Sequence, residues 1–206
     1  MQNKKFPKWG IALIIVAVVA VLIGGLFVAP YNNMVSLEEN VSTKEANIQS
    51  SLQSRLDKIN ELMPSVQGSM DHESEVYKEI TALRSGMEGV SIDEDGNMTI
   101  DSNASASELE QADQASSQLL DDIRIAIEAY PELGSTQLMS DFMTSVEGIE
   151  NRLSVAREEY NEAVQEYNTT IRKFPNNLIA GMMGFASIDP YEATEEAQDA
   201  PQVHFD

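Results

Sequence analysis

Apolar and polar positions along this chain fall into three regimes. Residues 11–29, IALIIVAVVAVLIGGLFVA, are apolar almost without a break. As a helix that run spans roughly 28 Å, close to the ~30 Å hydrocarbon core of a bilayer. A helix also satisfies its own backbone hydrogen bonds in lipid, so the run predicts a transmembrane segment. The second regime has helical spacing. Met34, Leu37, Val41, Ile48, Leu52, Leu56, Ile59, Met63, Val66, Met70, Tyr77, Ile80 and Leu83 follow one another by threes, fours or their sums, which keeps one stripe on one helix face. Asn60 and Pro64 interrupt it. Proline removes a helical hydrogen bond and clashes with the turn before it, so either a sharp kink or a reversal is expected around 60–64.

The period drops to two in residues 89–103. Val90, Ile92, Met98 and Ile100 alternate with polar residues about Asp95-Gly96, which predicts a short, exposed β-hairpin insertion. Asp93, Asp95 and Asn97 imitate the first ligands of a calcium loop. Met98 then stands where that loop needs glycine, so the hairpin is the simpler reading, with a weak cation site among these acids left open. Helical spacing returns at Leu109, Ala112, Ser116, Leu119, Ile123, Ile127 and Tyr130, with Ser105 or Ser107 as the cap and Pro131 and Gly134 at the exit. The longest stripe runs Leu138, Phe142, Val146, Ile149, Leu153, Ala156, Tyr160, Ala163, Tyr167, Ile171, Phe174 and stops at Pro175. Several long amphipathic stripes joined by short turns bury their faces against one another. The expected fold is all-α: an N-terminal transmembrane helix, then an antiparallel, up-down four-helix bundle over 31–186 carrying the hairpin. Leu178–Phe185 reads as a short cap on the bundle or, alternatively, as a surface that docks on a membrane or partner. Residues 187–206 form an acidic tail whose Val203-His204-Phe205 could pair as an extended segment.

Charge adds orientation. Lys4, Lys5 and Lys8 precede the apolar run, and Glu38 and Glu39 follow it with no base up to Thr43. The positive-inside rule then makes 1–10 a cytoplasmic basic tail and places the bundle outside the cell membrane. A cleaved signal peptide is the competing reading. The run is longer than the usual ~7–15-residue signal core, and Pro30 sits badly for cleavage after Ala29. Without cysteine, lipoprotein processing is excluded. Beyond the run, ten bases stand against all 34 acids, a formal charge of −24. Such a surface repels anionic lipid headgroups and nucleic acid alike, and nucleic acid is excluded as a partner.

Reactive constellations fail one by one. His72-Glu73 begins like a zinc-protease helix, but Val76 holds the second histidine's place. A di-iron bundle needs two Glu-x-x-His pairs, and Ser69 and Pro201 stand three residues before the two histidines. No cysteine nucleophile or phosphate loop is present, so no catalytic residue, cofactor or metal is expected. The polar feature left is the doublet Tyr160-Asn161, repeated two helical turns on at Tyr167-Asn168 and echoed by Tyr31-Asn32. With His72, Glu73 and Asn151 these form the candidate polar network. It is either structural, fixing helix register at the seam, or a groove for a ligand or partner helix. His72-Glu73 is expected beside Arg84 or Arg55, in an internal hydrogen-bonded cluster.

GIENRLSVAREEYNEAVQEYNTTIRKFPNNLIAGMMGF (148–185), YNNMVSLEENV (31–41), the positions Arg55, Asp57, Ile59, Gly68 and His72-Glu73, and AYPEL (129–133) together resemble the LemA family of bacterial single-anchor membrane proteins. Departures include Glu45, where the family usually has Trp, and Asn60 to Met63, where it commonly has a proline now shifted to Pro64. The resemblance implies a four-helix bundle on an N-terminal membrane helix, with no agreed enzymatic activity. For some members it implies membrane remodelling or organelle biogenesis, as in magnetosome-forming bacteria. Two functions follow as expectations: a non-enzymatic, membrane-anchored scaffold or adaptor, or an extracytoplasmic sensory bundle binding a ligand at Tyr160, Asn161, Tyr167 and Asn168. The expected partners are membrane lipid through 11–29, further copies in a homo-oligomer, and other membrane proteins.

Overall fold

The computed structural model describes residues 8–69, 90–94, 96–129 and 137–191; side chains at 8, 11, 19, 20, 22, 23, 26, 66–69, 126 and 129 lie outside that description. His72, Glu73, Arg84, the AYPEL connection from Tyr130 and the tail from 192 are likewise outside it. The described residues are mostly helical. Helix α1 is Lys8–Ser69, α2 Ala106–Ala129, α3 Gln137–Arg172 and α4 Asn176–Met183. Strands β1 (Val90–Ile92) and β2 (Met98–Ile100) form a two-stranded antiparallel sheet with Val90 opposite Ile100 and Ile92 opposite Met98.

The chain divides into two compact units. The first comprises Met1–Ser42 and Ala163–Asp189, the second Thr43–Glu162 and Pro190–Asp206.

In the first unit, α1 is continuous through the apolar run. The expected transmembrane helix is not supported as such: among the described residues, no helix is long and apolar enough to cross a membrane. A span needs an unbroken apolar stretch, and six positions of 11–29 have no described side chain. Of those that are described, Leu13, Ile14, Ile15, Val16, Val18 and Val21 are 52% to 74% exposed. Further along, Met34, Val41, Val164, Tyr167, Ile171, Ile179 and Ala180 are buried. Helix α4 ends at Gly184, whose φ of 85° is left-handed; its N–H and that of Phe185 both donate to the Ala180 carbonyl.

The second unit carries the main core. Leu56, Ile59, Leu62 and Met63 of α1 meet Leu119, Leu120 and Ile123 of α2 and Met139, Phe142 and Val146 of α3, with Met98 of the hairpin among them. Each such side chain, fully buried, contributes roughly 1.5–3 kcal/mol. Helix α2 starts on a capping box: the Ser105 N–H and hydroxyl both donate to the Glu108 carboxylate, which lowers that carboxyl's pKa, and the Glu108 N–H donates back to the Ser105 hydroxyl. Helix direction follows from cross-contacts. Lys44 pairs with Glu159 and Arg55 with Glu150, so α1 and α3 are antiparallel. Gln49 reaches Asp101 and Arg55 reaches Asp113, so α1 and α2 run the same way. An up-down four-helix bundle asks this of its first, third and fourth helices; residues 70–89 are outside the description.

Three expectations change. The chain does not reverse at 60–64, because α1 continues through Pro64 to Ser69. The hairpin is no free insertion: Met98 is fully buried, and its N–H and carbonyl both bond the Asn60 side chain, at 3.0 and 2.9 Å. At the ends of the α3 stripe, Leu138 and Phe174 are exposed rather than buried.

Candidate functional site

The most polar part of the second unit's interior centres on Arg55. Helical spacing puts Arg55 on the same stripe as Leu52, Leu56 and Ile59, and Asp113 on the stripe of Leu109, Ala112 and Ser116, so both charges are buried with their apolar neighbours. Arg55 Nη1 donates to Asp113 Oδ1 at 2.8 Å, to the Asp113 carbonyl at 3.1 Å and to the hydroxyls of Ser116 and Ser117. Its Nη2 donates to Glu150 at 2.6 Å. The other Asp113 oxygen accepts from Arg157 and, at 2.9 Å, from the Tyr191 hydroxyl. Two guanidinium groups thus face two carboxylates. The formal charge of the cluster is zero, as a buried cluster requires.

Tyr191 closes it. Its ring meets Tyr160 edge-on at 6.3 Å and lies under the Arg157 guanidinium at 5.7 Å. Burial pushes the Tyr191 phenol far up, and the negative charge and hydrogen bond of Asp113 push it the same way; Arg157 opposes them. The phenol therefore stays protonated and acts as a donor. This arrangement can hold a proton and orient a chain segment. Among the described residues, no group of acids and histidines is gathered as a metal site.

The two Tyr-Asn doublets meet the chain's own backbone. In the second unit, the Asn161 amide donates to the Tyr191 carbonyl at 3.0 Å and its oxygen accepts the Tyr191 N–H at 2.7 Å. In the first unit, Asn168 does the same to Ile188, at 2.7 and 3.0 Å, and the Tyr167 hydroxyl donates to the Ala186 carbonyl at 2.9 Å. Burial, and then the charge of Glu38, raises the Tyr167 phenol. An asparagine side chain offers an N–H donor and a carbonyl acceptor, as a backbone peptide does, so each amide pairs both backbone groups of one residue, as a neighbouring strand would.

The remaining expected residues scatter. Tyr31 is half exposed with its ring 5.8 Å from Phe185, and Asn32 is exposed on α1. Asn151 lies on the outer side of α3, lining an open groove of about 490 Å³ with Arg124, Met143 and Glu147. The cluster expected around His72 lies outside the described residues, and Arg55 takes the partners given above. Around the hairpin turn, the Asp93 carboxylate is occupied by the Asn97 N–H and side-chain amide. Sequence reasoning missed Asp113, Arg157 and Tyr191. The available signal was an acid and a base standing at apolar spacing on two different stripes.

A family model, LemA family, matches residues 44–205. Two magnetosome proteins of Paramagnetospirillum magneticum, MamQ 1 and MamQ 2, are each 33% identical over 92 residues, covering 45% of this chain and 34% of theirs. The matched stretch is thus about a third of the length of those two relatives. The magnetosome protein MamQ of Magnetospirillum gryphiswaldense is 27% identical over 187 residues, 84% of this chain and 68% of its own.

Proposed function

The chain belongs to the LemA family, and from that premise we propose that it is a non-enzymatic, membrane-anchored helical scaffold or adaptor. Residues 11–29 hold it in the bilayer, 1–10 face the cytoplasm and the helical part lies outside. The observation that carries the reading is internal consumption of the polar groups. Arg55, Asp113, Arg157 and Tyr191 bond one another, and Asn161 and Asn168 bond the chain's own backbone. Groups spent on the fold are not free to bind or turn over a substrate. Anchoring is supported by an apolar run of membrane length and by the large exposed side chains on the described part of it. Similarity to magnetosome proteins supports a role in organising a membrane.

Alkaline carbonate washing of membranes from cells expressing the full chain tests the anchor. Retention in the pellet is expected, and release overturns it. Protease added to intact cells should remove the helical part; digestion only after permeabilisation reverses the orientation. The ligand-binding alternative named a groove at the doublets, and backbone already occupies their amides. Saturable thermal stabilisation of the full chain by a cation, peptide or small metabolite would restore that alternative.

A further inference from the structure

We infer that the outer face of α4 is a second membrane contact, lying on the lipid surface beside the anchor and taking anionic headgroups at its basic flank; this rests on the anchoring reading above. Helix α4 buries Ile179 and Ala180 and leaves its other large side chains outward. Leu178 and Met182, one turn apart, are 58% and 72% exposed, Met183 is 56% exposed and the preceding Phe174 81%. Isolated exposed apolar residues are ordinary on a protein surface; four large ones within ten residues, with Leu178 and Met182 on one helix face, ask for a partner.

Position and charge identify the partner. Phe185, directly after the Gly184 turn that ends α4, packs its ring against Tyr31 at 5.8 Å. Tyr31 stands two residues past Ala29, the last residue of the apolar run. If 11–29 cross the hydrocarbon, Tyr31 lies at the headgroup level, where tyrosine is favoured, and the end of α4 is held to it. Between Glu166 and Asp189, the charged residues are Arg172 and Lys173 alone, both exposed, in a chain of net charge −21. An apolar helical face with bases at one end and no acid within it has the chemistry of an interfacial segment. A second copy of so acidic a chain is a poorer match than lipid.

The chain has no cysteine, so single labelling sites can be introduced cleanly at exposed positions. The full chain carrying V18C, M182C or E158C, each with a fluorescent label, is reconstituted in vesicles of phosphatidylcholine and phosphatidylglycerol. It is then challenged with a lipid-borne nitroxide quencher and with aqueous iodide. Lipid quenching at Val18 and at Met182, with iodide quenching at Glu158, is the expected result. Lipid quenching at Val18 with iodide quenching at Met182 overturns the contact and leaves the anchor standing. Iodide quenching at Val18 removes the anchor and the contact together. A Met182 label shielded from both quenchers, with transfer between labels on different copies, shows that a second chain covers the face and also overturns it. Equal lipid quenching of Met182 in phosphatidylcholine alone overturns the part given to Arg172 and Lys173.

Discussion

Asp113 is the carboxylate that joins the cluster, accepting from Arg55, Arg157 and Tyr191. Removing it strands two guanidinium groups against Glu150 alone. Asp113→Ala is therefore expected to cost about 3–5 kcal/mol, read as a lowered urea midpoint. The cluster is not fully satisfied, since among the described residues Arg55 Nε and Glu150 Oε1 have no partner. A concerted apolar replacement would accordingly cost less than the single deletion. Tyr191 gives the cluster an alkaline limit. Its phenol is held protonated in the fold, mainly by burial, while the unfolded phenol ionises near its ordinary value of about 10. Above that pH the unfolded state loses a proton that the folded state keeps. The contribution is present below about pH 10 and is lost as pH rises further. Urea midpoints measured against pH should fall less steeply on the alkaline side for Tyr191→Phe than for the parent chain; equal slopes would refute the assignment. Glu45 works at the other end of the scale. Burial raises its carboxyl, so its unfavourable effect is absent below the ordinary carboxylate range and grows as pH rises through the folded value. Glu45→Gln should raise the melting temperature at pH 7 and leave it unchanged at pH 4.

At the scale of elements, the hairpin is fastened through one helix side chain. Asn60 matches both backbone groups of Met98, and Gln53 accepts the Ile100 N–H at 2.7 Å. Asn60→Ala leaves buried strand groups unpaired, at a cost of about 1–3 kcal/mol. Faster amide exchange at Met98 and Ile100, with α2 unchanged, is the expected signature; uniform acceleration would mean that the hairpin is not a separate unit. This element also shows where the sequence stopped being readable. Alternation at Val90, Ile92, Met98 and Ile100 identified the strands, because a period of two is a local property. What Met98 meets is not local, and Asn60 reads as a helix interruption until a strand lies beside it. The stripes of α1, α2 and α3 were legible for the same reason, but Arg55 was not placed on one of them, and its pairing with Asp113 spans 58 residues and leaves no periodic trace. The Tyr-Asn repeat was visible on α3. Its partner, residues 186–191, has no period of its own, so a clasp on the chain's own backbone could not be told from an empty groove.

At the scale of the whole chain, charge and the apolar run pull against each other. Beyond residue 29 the formal charge is −24, which repels neighbouring copies at low salt and is screened over ~10 Å at 0.1 M. Within the run, Gly24 and Gly25 face open space, with nothing within 4 Å of where a Cβ would stand. Ala17 and the exposed Val21 lie at four-residue steps before Gly25, so the three share one helix face. Small residues on such a face let helices in lipid approach closely, and their attraction does not depend on the charge outside. A homo-oligomer held through this face, and strengthened by salt, is the expected state. Replacing Gly25 with Leu should not disturb the fold, because the space is open, but it would hold two such helices apart. Masses of the detergent-solubilised full chain, parent and Gly25→Leu, at low and high salt distinguish the terms. The parent should be oligomeric and more so at high salt, with the variant shifted toward monomer at both. A monomeric parent at both salts removes the oligomer, and an oligomeric variant equal to the parent moves the contact away from the glycine face.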